Sequence, residues 1–112
     1  MNATELEKLC KSFNGTTQDI KWGNDLCYLV GGKMYCVLTL KGPPCISFKT
    51  TPEEFGDLIE REGIIPAPYA ARHYWVLVEN IHSLRTNEWK YHIQISYDLV
   101  FAKLPRKVRE SL

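Results

Sequence analysis

The chain has 112 residues, which suits one folding unit, because single cores usually grow to about 100–200 residues before chains divide. Hydrophobic residues make up 45% and charged residues 24%, an ordinary globular mixture that excludes a disordered, collagen-like or coiled-coil chain. Lys and Arg number 14 against 13 Asp and Glu, so the formal charge of +1 lacks the overall basic excess of a dedicated nucleic-acid binder.

The first predicted element is a helix from Thr4 to Phe13. Thr4 and Glu7 have capping-box spacing, Leu6, Leu9, Cys10 and Phe13 share one face, and Asn14-Gly15 supplies a left-handed stop. An extended piece, Thr17 to Trp22, leads through Gly23-Asn24 into a hairpin, Leu26 to Val30 and Lys33 to Leu40, turned by Gly31-Gly32. A simple register pairs Val30 with Lys33, Leu29 with Met34, Tyr28 with Tyr35, Cys27 with Cys36 and Leu26 with Val37. That register puts Cys27, Leu29, Met34, Cys36, Leu38 and Leu40 on the helix-packed face. Leu26, Tyr28, Val30, Lys33, Tyr35, Val37, Thr39 and Lys41 then form a mixed face open to a ligand.

After the Lys41 to Pro44 loop, Cys45 to Lys49 reads as a third strand. Thr51 as N-cap, Pro52 at the first helical position and Glu54 two residues on start a second helix, with Phe55, Leu58 and Ile59 as its apolar stripe and Gly63 as its end. Pro66 and Pro68 make Ile64 to Tyr69 a stiff connector, and Tyr74 to Val78 another strand. The last helix starts near Thr86, carries Trp89, Ile93, Tyr97, Val100, Phe101 and Leu104 on its apolar side and breaks at Pro105. The order α-β-β-β-α-β-α predicts a two-layer α+β sandwich with an antiparallel sheet, one domain spanning residues 1–112.

No basic leader precedes an apolar stretch, and the most apolar region, Leu26 to Leu40, is broken by Gly31, Gly32 and Lys33. With four cysteines, Cys10, Cys27, Cys36 and Cys45, in apolar surroundings without C-x-x-C spacing, the expected setting is a reducing cytoplasm without membrane contact. Cys27 and Cys36, opposed in the simple register, fall just inside disulfide range but read as packing thiols.

The sequence carries no G-x-S-x-G, H-E-x-x-H or G-x-G-x-x-G, and Gly31-Gly32-Lys33 lacks the flanking residues of a phosphate loop. Glu53 and Glu54 sit in a helix first turn, where the macrodipole favours anions. His73, His82 and His92 have no spacing that puts two on one face, so neither catalysis, a cofactor nor a metal is expected.

Tyr28 and Tyr35 with Lys33, Lys41 and the adjacent Lys21-Trp22 have the makings of a stacking platform with phosphate-attracting charges. Cross-strand tyrosines also simply stabilise sheets, and both readings stand. Arg72, His73 and Trp75, behind the proline segment, suit either phosphate and peptide recognition or core anchoring. Lys103, Arg106, Lys107 and Arg109 read as complements to a helix C-terminus.

Several segments together resemble one family. Asp19-Ile20-Lys21-Trp22-Gly23, Val30 to Tyr35, Ser47-Phe48-Lys49, Pro66-Ala67-Pro68-Tyr69 with Arg72 and Trp75-Val76, and Ser96-Tyr97 with Lys103-Leu104-Pro105 resemble the MmcQ/YjbR family of small bacterial proteins. The resemblance implies a fold like the type III secretion chaperones and the frataxin-like group, described as a double-wing DNA-binding domain. Lys21, Trp22, Lys33, Lys49, Pro68, Tyr69, Arg72 and Trp75 match its pattern and join Tyr28, Tyr35 and His73 as site candidates. The expectation is a non-enzymatic DNA-binding protein, monomeric or weakly dimeric, with a peptide- or partner-binding adaptor as the alternative.

Overall fold

The computed structural model describes all 112 residues. Six strands, β1 Thr16–Lys21, β2 Asp25–Val30, β3 Lys33–Thr39, β4 Ile46–Lys49, β5 Ile64–Pro66 and β6 Trp75–Val78, form one antiparallel sheet in spatial order β1-β2-β3-β4-β6-β5. Helices α1 Ala3–Lys11, α2 Pro52–Leu58 and α3 Thr86–Ala102 pack on one face, and α4 Arg106–Glu110 ends the chain. This is the expected two-layer α+β fold, with two more strands. The extended piece before the hairpin pairs with β2 as one edge, and Ile64–Pro66 pairs with β6 as the other. A proline is tolerated there because an edge strand has no outer neighbour needing its missing N–H.

Local signals set the helix starts. Asn2, not Thr4, caps α1: its Oδ1 accepts the Glu5 N–H at 2.8 Å, and the helix closes at Lys11. Thr51 Oγ1 accepts the Glu54 N–H at 3.2 Å as the α2 cap, and Glu88 Oε1 accepts the Arg85 N–H at 3.0 Å before α3. One apolar core joins Leu6 and Cys10 of α1, Leu58 of α2 and Trp89, Ile93, Tyr97 and Val100 of α3 to the sheet. No helix is long and apolar enough to cross a membrane.

The hairpin departs from the simple register. Val30 pairs with Lys33 and Leu29 with Met34, after which the ladder slips, so that Tyr28 stands opposite Cys36 and Cys27 opposite Val37. Tyr35 is the extra residue of a β-bulge, and one extra residue exchanges the faces of everything beyond it. Tyr28, Val30, Tyr35, Cys36 and Leu38 consequently face the helices, whereas Cys27, Leu29, Met34 and Val37 face the other side. Leu40, expected in the core, is 49% exposed. Cys27 and Cys36 lie on opposite faces, which rules out a bridge between them, and all four thiols are free.

The bulge has a tertiary cause. Ser96 Oγ of α3 donates to the Tyr35 carbonyl and accepts the Lys49 N–H at 2.9 Å, a hydroxyl inserted between β3 and β4 where their ladder parts. Tyr35 Oη shares a 2.9 Å hydrogen bond with Thr16 Oγ1, and its ring meets Tyr97 edge-on at 5.3 Å.

Candidate functional site

Three residues outside glycine adopt left-handed backbone, and all are aromatic: Trp22 at φ 53°, Tyr69 at φ 65° and Tyr74 at φ 64°. Such backbone costs a side-chain-bearing residue about 1–2 kcal/mol. Packing does not explain it at Trp22 and Tyr69, which are 72% and 104% exposed. Trp22 occupies the β1–β2 turn, held by the Leu40 N–H donating to the Asn24 carbonyl at 2.7 Å. Tyr69 tips the loop between β5 and β6. That loop is fastened at its base by the Ala67 N–H to the Trp75 carbonyl at 3.0 Å, and at Tyr74 by Thr50, whose N–H and Oγ1 both donate to the Tyr74 carbonyl at 2.8 Å. Strain of this kind, held in place by surrounding bonds, collects where a side chain must be presented.

The two strained aromatics flank a groove on the helix-free face. Its larger part, about 760 Å³, has Met34, Val37, Ser47 and Trp75 as floor and Trp22, Pro68 and Tyr69 among its walls. Pairing sets that floor: Val37 lies opposite Ser47, and Lys49 opposite Trp75. A second part, about 320 Å³, shares Met34, His73 and Trp75 with the first and reaches Lys33, Lys49 and Lys103, backed by Val100, Leu104 and Pro105.

Lys33, Lys49 and Lys103 converge on this end without a carboxylate, for no ion pair of the molecule involves any of them. Burial, and then the charge of Lys103, pull the Lys49 ammonium below its ordinary pKa. Lys49 Nζ is steadied by donating to the His73 carbonyl at 3.1 Å. Like charges lining one recess without a counter-charge favour an anion there. The groove thus brings ammonium donors and aromatic rings together, and Asp25 and His73 also line its larger part.

Among the candidates named from sequence, Trp22, Lys33, Lys49, Pro68, Tyr69, His73 and Trp75 meet at the groove. Tyr28 and Tyr35 do not. Both are fully buried on the helix side, because the bulge turns Tyr35 inward and Tyr28 shares that face. Burial holds both phenols well above their ordinary pKa. Lys21 closes β1 opposite Asp25, and Arg72 stands exposed in the turn Ala71–His73; neither lines the groove. Sequence reasoning missed Met34, assigned to the packed face, and Lys103, credited to a helix dipole; Val37 was placed on the open face, where it lies, without being named a candidate. The signal for Lys103 was the family-like Lys103-Leu104-Pro105 segment.

Comparison with known proteins fits this architecture. The family model described as YjbR matches residues 11–99. The chain belongs to the YjbR family. It is similar in structure to protein DR2400 of Deinococcus radiodurans, of the family-model domain DUF419, at TM-score 0.88 and 20% identity over 98% of this chain and 86% of that one. A Pseudomonas syringae protein aligns at TM-score 0.75 and 22% identity over 89% of this chain and 99% of that one. No curated protein matches.

Proposed function

We propose that this YjbR-family protein is a non-enzymatic DNA-binding module that lays a single strand across the helix-free face of its sheet. Three lysines without counter-charge at one end of an aromatic-walled groove carry the reading. Exposed Trp22 and Tyr69, with half-buried Trp75, offer rings on which bases of any sequence stack, and Lys33, Lys49 and Lys103 receive phosphate. The β2–β3 turn is ill suited to enter a duplex groove as a wing, since Gly31 lies directly against Leu104 and Val108.

Fluorescence anisotropy of labelled single- and double-stranded oligonucleotides at low and moderate salt tests this. Single strands are expected to bind saturably and to weaken as salt rises, because each phosphate contact releases counterions. Lys33→Ala with Lys103→Ala should weaken binding and flatten the salt dependence. Absence of binding at low salt, or an unaltered salt dependence in the folded double variant, overturns the reading. The apolar floor of Met34, Val37 and Pro68 favours a second reading, a groove for an extended peptide, which a stoichiometric peptide complex without nucleic acid would establish.

A further inference from the structure

We infer that the lysine end of the groove is a phosphomonoester site, so that the preferred ligand is a nucleotide whose terminal phosphate lies among Lys33, Lys49 and Lys103. The base-stacking part rests on the DNA-binding reading; the anion site stands on the lysines themselves.

The argument is one of charge and donor number. A phosphodiester inside a strand carries one negative charge and two free oxygens. A phosphomonoester carries about −1.5 to −2 at pH 7 and three strong acceptor oxygens. Three ammonium groups border one recess of about 320 Å³, and none is neutralised by a carboxylate of the protein. Lys49 is half-buried and spends one N–H on the His73 carbonyl, which directs the remaining donors. An internal diester leaves most of that positive charge unmatched, whereas a terminal phosphate meets it with both charges and all three oxygens.

Shape agrees with charge. Val100, Leu104 and Pro105 back the recess with apolar surface, which has no donor for a following sugar hydroxyl. From the recess the groove continues past Trp75 and His73, shared by both parts, toward Trp22 and Tyr69. A phosphate at the lysines therefore places its own base toward Trp75 and the next toward the strained pair. The phosphate comes either from the end of a strand or from a free mononucleotide, and the shared chemistry is a phosphomonoester joined to a planar base.

The experiment titrates the intact protein, by tryptophan fluorescence, with one short single strand carrying a 5′-phosphate, a 3′-phosphate or only hydroxyl ends. Adenosine monophosphate, adenosine and inorganic phosphate are titrated in parallel. One phosphorylated end is expected to bind about tenfold more tightly than the hydroxyl form, the effect of one added charge-assisted hydrogen bond. Lys33→Ala with Lys103→Ala, both exposed positions, should erase that difference without unfolding the protein, as circular dichroism would report. Equal affinity for all three strands overturns the inference and leaves the DNA-binding reading standing. Binding of the monophosphate but of no strand supports the anion site and assigns it to a free nucleotide, overturning the DNA-binding reading instead. If no strand, nucleotide or phosphate binds, both fail.

Discussion

Replacing Tyr69 by glycine should make the protein more stable and a poorer binder. Tyr69 holds φ 65° and is 104% exposed, so its side chain contributes no burial to the fold. Left-handed backbone costs a residue bearing Cβ about 1–2 kcal/mol, and Gly removes that cost. Gly also frees the unfolded chain, which returns about 0.5–1 kcal/mol to the unfolded side. The net expectation is a gain of about 0.5–1 kcal/mol, or a Tm rise of about 2–5 °C for a chain of this size. Losing one stacking ring costs binding about 1–3 kcal/mol, which is about 5- to 150-fold in Kd. Tyr74 is the control. It is equally strained at φ 64°, but it is 41% exposed and its ring meets Phe55 edge-on at 5.9 Å. Tyr74→Gly loses that aromatic contact, about 0.5–1.5 kcal/mol plus area, and should be neutral or destabilising. Urea unfolding followed by tryptophan fluorescence, beside oligonucleotide anisotropy, measures both effects. A Tyr69→Gly protein that is less stable than wild type, or that binds equally well, refutes the view that strain at this position presents a binding ring.

Three further outcomes follow from the fold. Gly32→Ala meets open space at φ 80° and should cost about 1 kcal/mol in urea unfolding. Gly31→Ala should cost about 1–3 kcal/mol more, because its Cβ would stand 2.7 Å from Leu104 Cδ1 and 3.0 Å from Val108 Cγ1; equal losses would disprove the docking of the C-terminal segment on the turn. Ser96→Ala leaves the Lys49 N–H without its acceptor and should cost about 1–3 kcal/mol, whereas a loss under about 0.5 kcal/mol would mean the ladder closes without the hydroxyl. His92 is buried against Phe48, with Nδ1 3.8 Å from Glu54 Oε2, and burial lowers its pKa against the opposing pull of Glu54. Its stabilising effect is present above the unfolded value of about 6.5 and is lost as pH falls below it, because the unfolded state then binds the extra proton. The urea midpoint should therefore drop between pH 7 and pH 5 by less in His92→Gln than in wild type, and identical drops would remove His92 as the cause.

How much of this was legible depended on whether the deciding contacts were local. The α2 start could be read because Thr51, Pro52 and Glu54 act within one turn, and the β2–β3 turn because Gly31 and Gly32 both take positive φ. The faces of the hairpin could not, since they hinge on the bulge at Tyr35, where a hydroxyl from Ser96, 61 positions away, separates the strands. That one residue puts Cys36 and Leu38 on the same packed face as Tyr28 and Tyr35, which the simple register turned toward a ligand, and leaves Met34 beside Val37 on the open face. The edge strands were obscured for a different reason. Prolines in Ile64 to Tyr69 argue against regular structure in general, but an edge asks less of a strand than a central position does.

The near-zero net charge, the main objection to a nucleic-acid partner from sequence, loses force once the charges are placed. Glu53, Glu54, Asp57, Glu60 and Glu62 lie on or just after α2, which packs on the helix side of the sheet. Lys33, Lys49 and Lys103 gather at the groove, and Arg106 and Lys107 follow directly in α4, Arg106 being paired with Glu110 at 2.8 Å. A sum of +1 therefore conceals a local cluster of three lysines at one end of the groove, and local field, not total charge, governs attraction of an anion. Two unfavourable features of the free protein, left-handed aromatics and unneutralised lysines, come from separate strands, loops and the end of α3 yet border one groove. Neither improves the fold, and under the proposed function a planar base bearing a phosphate would use both.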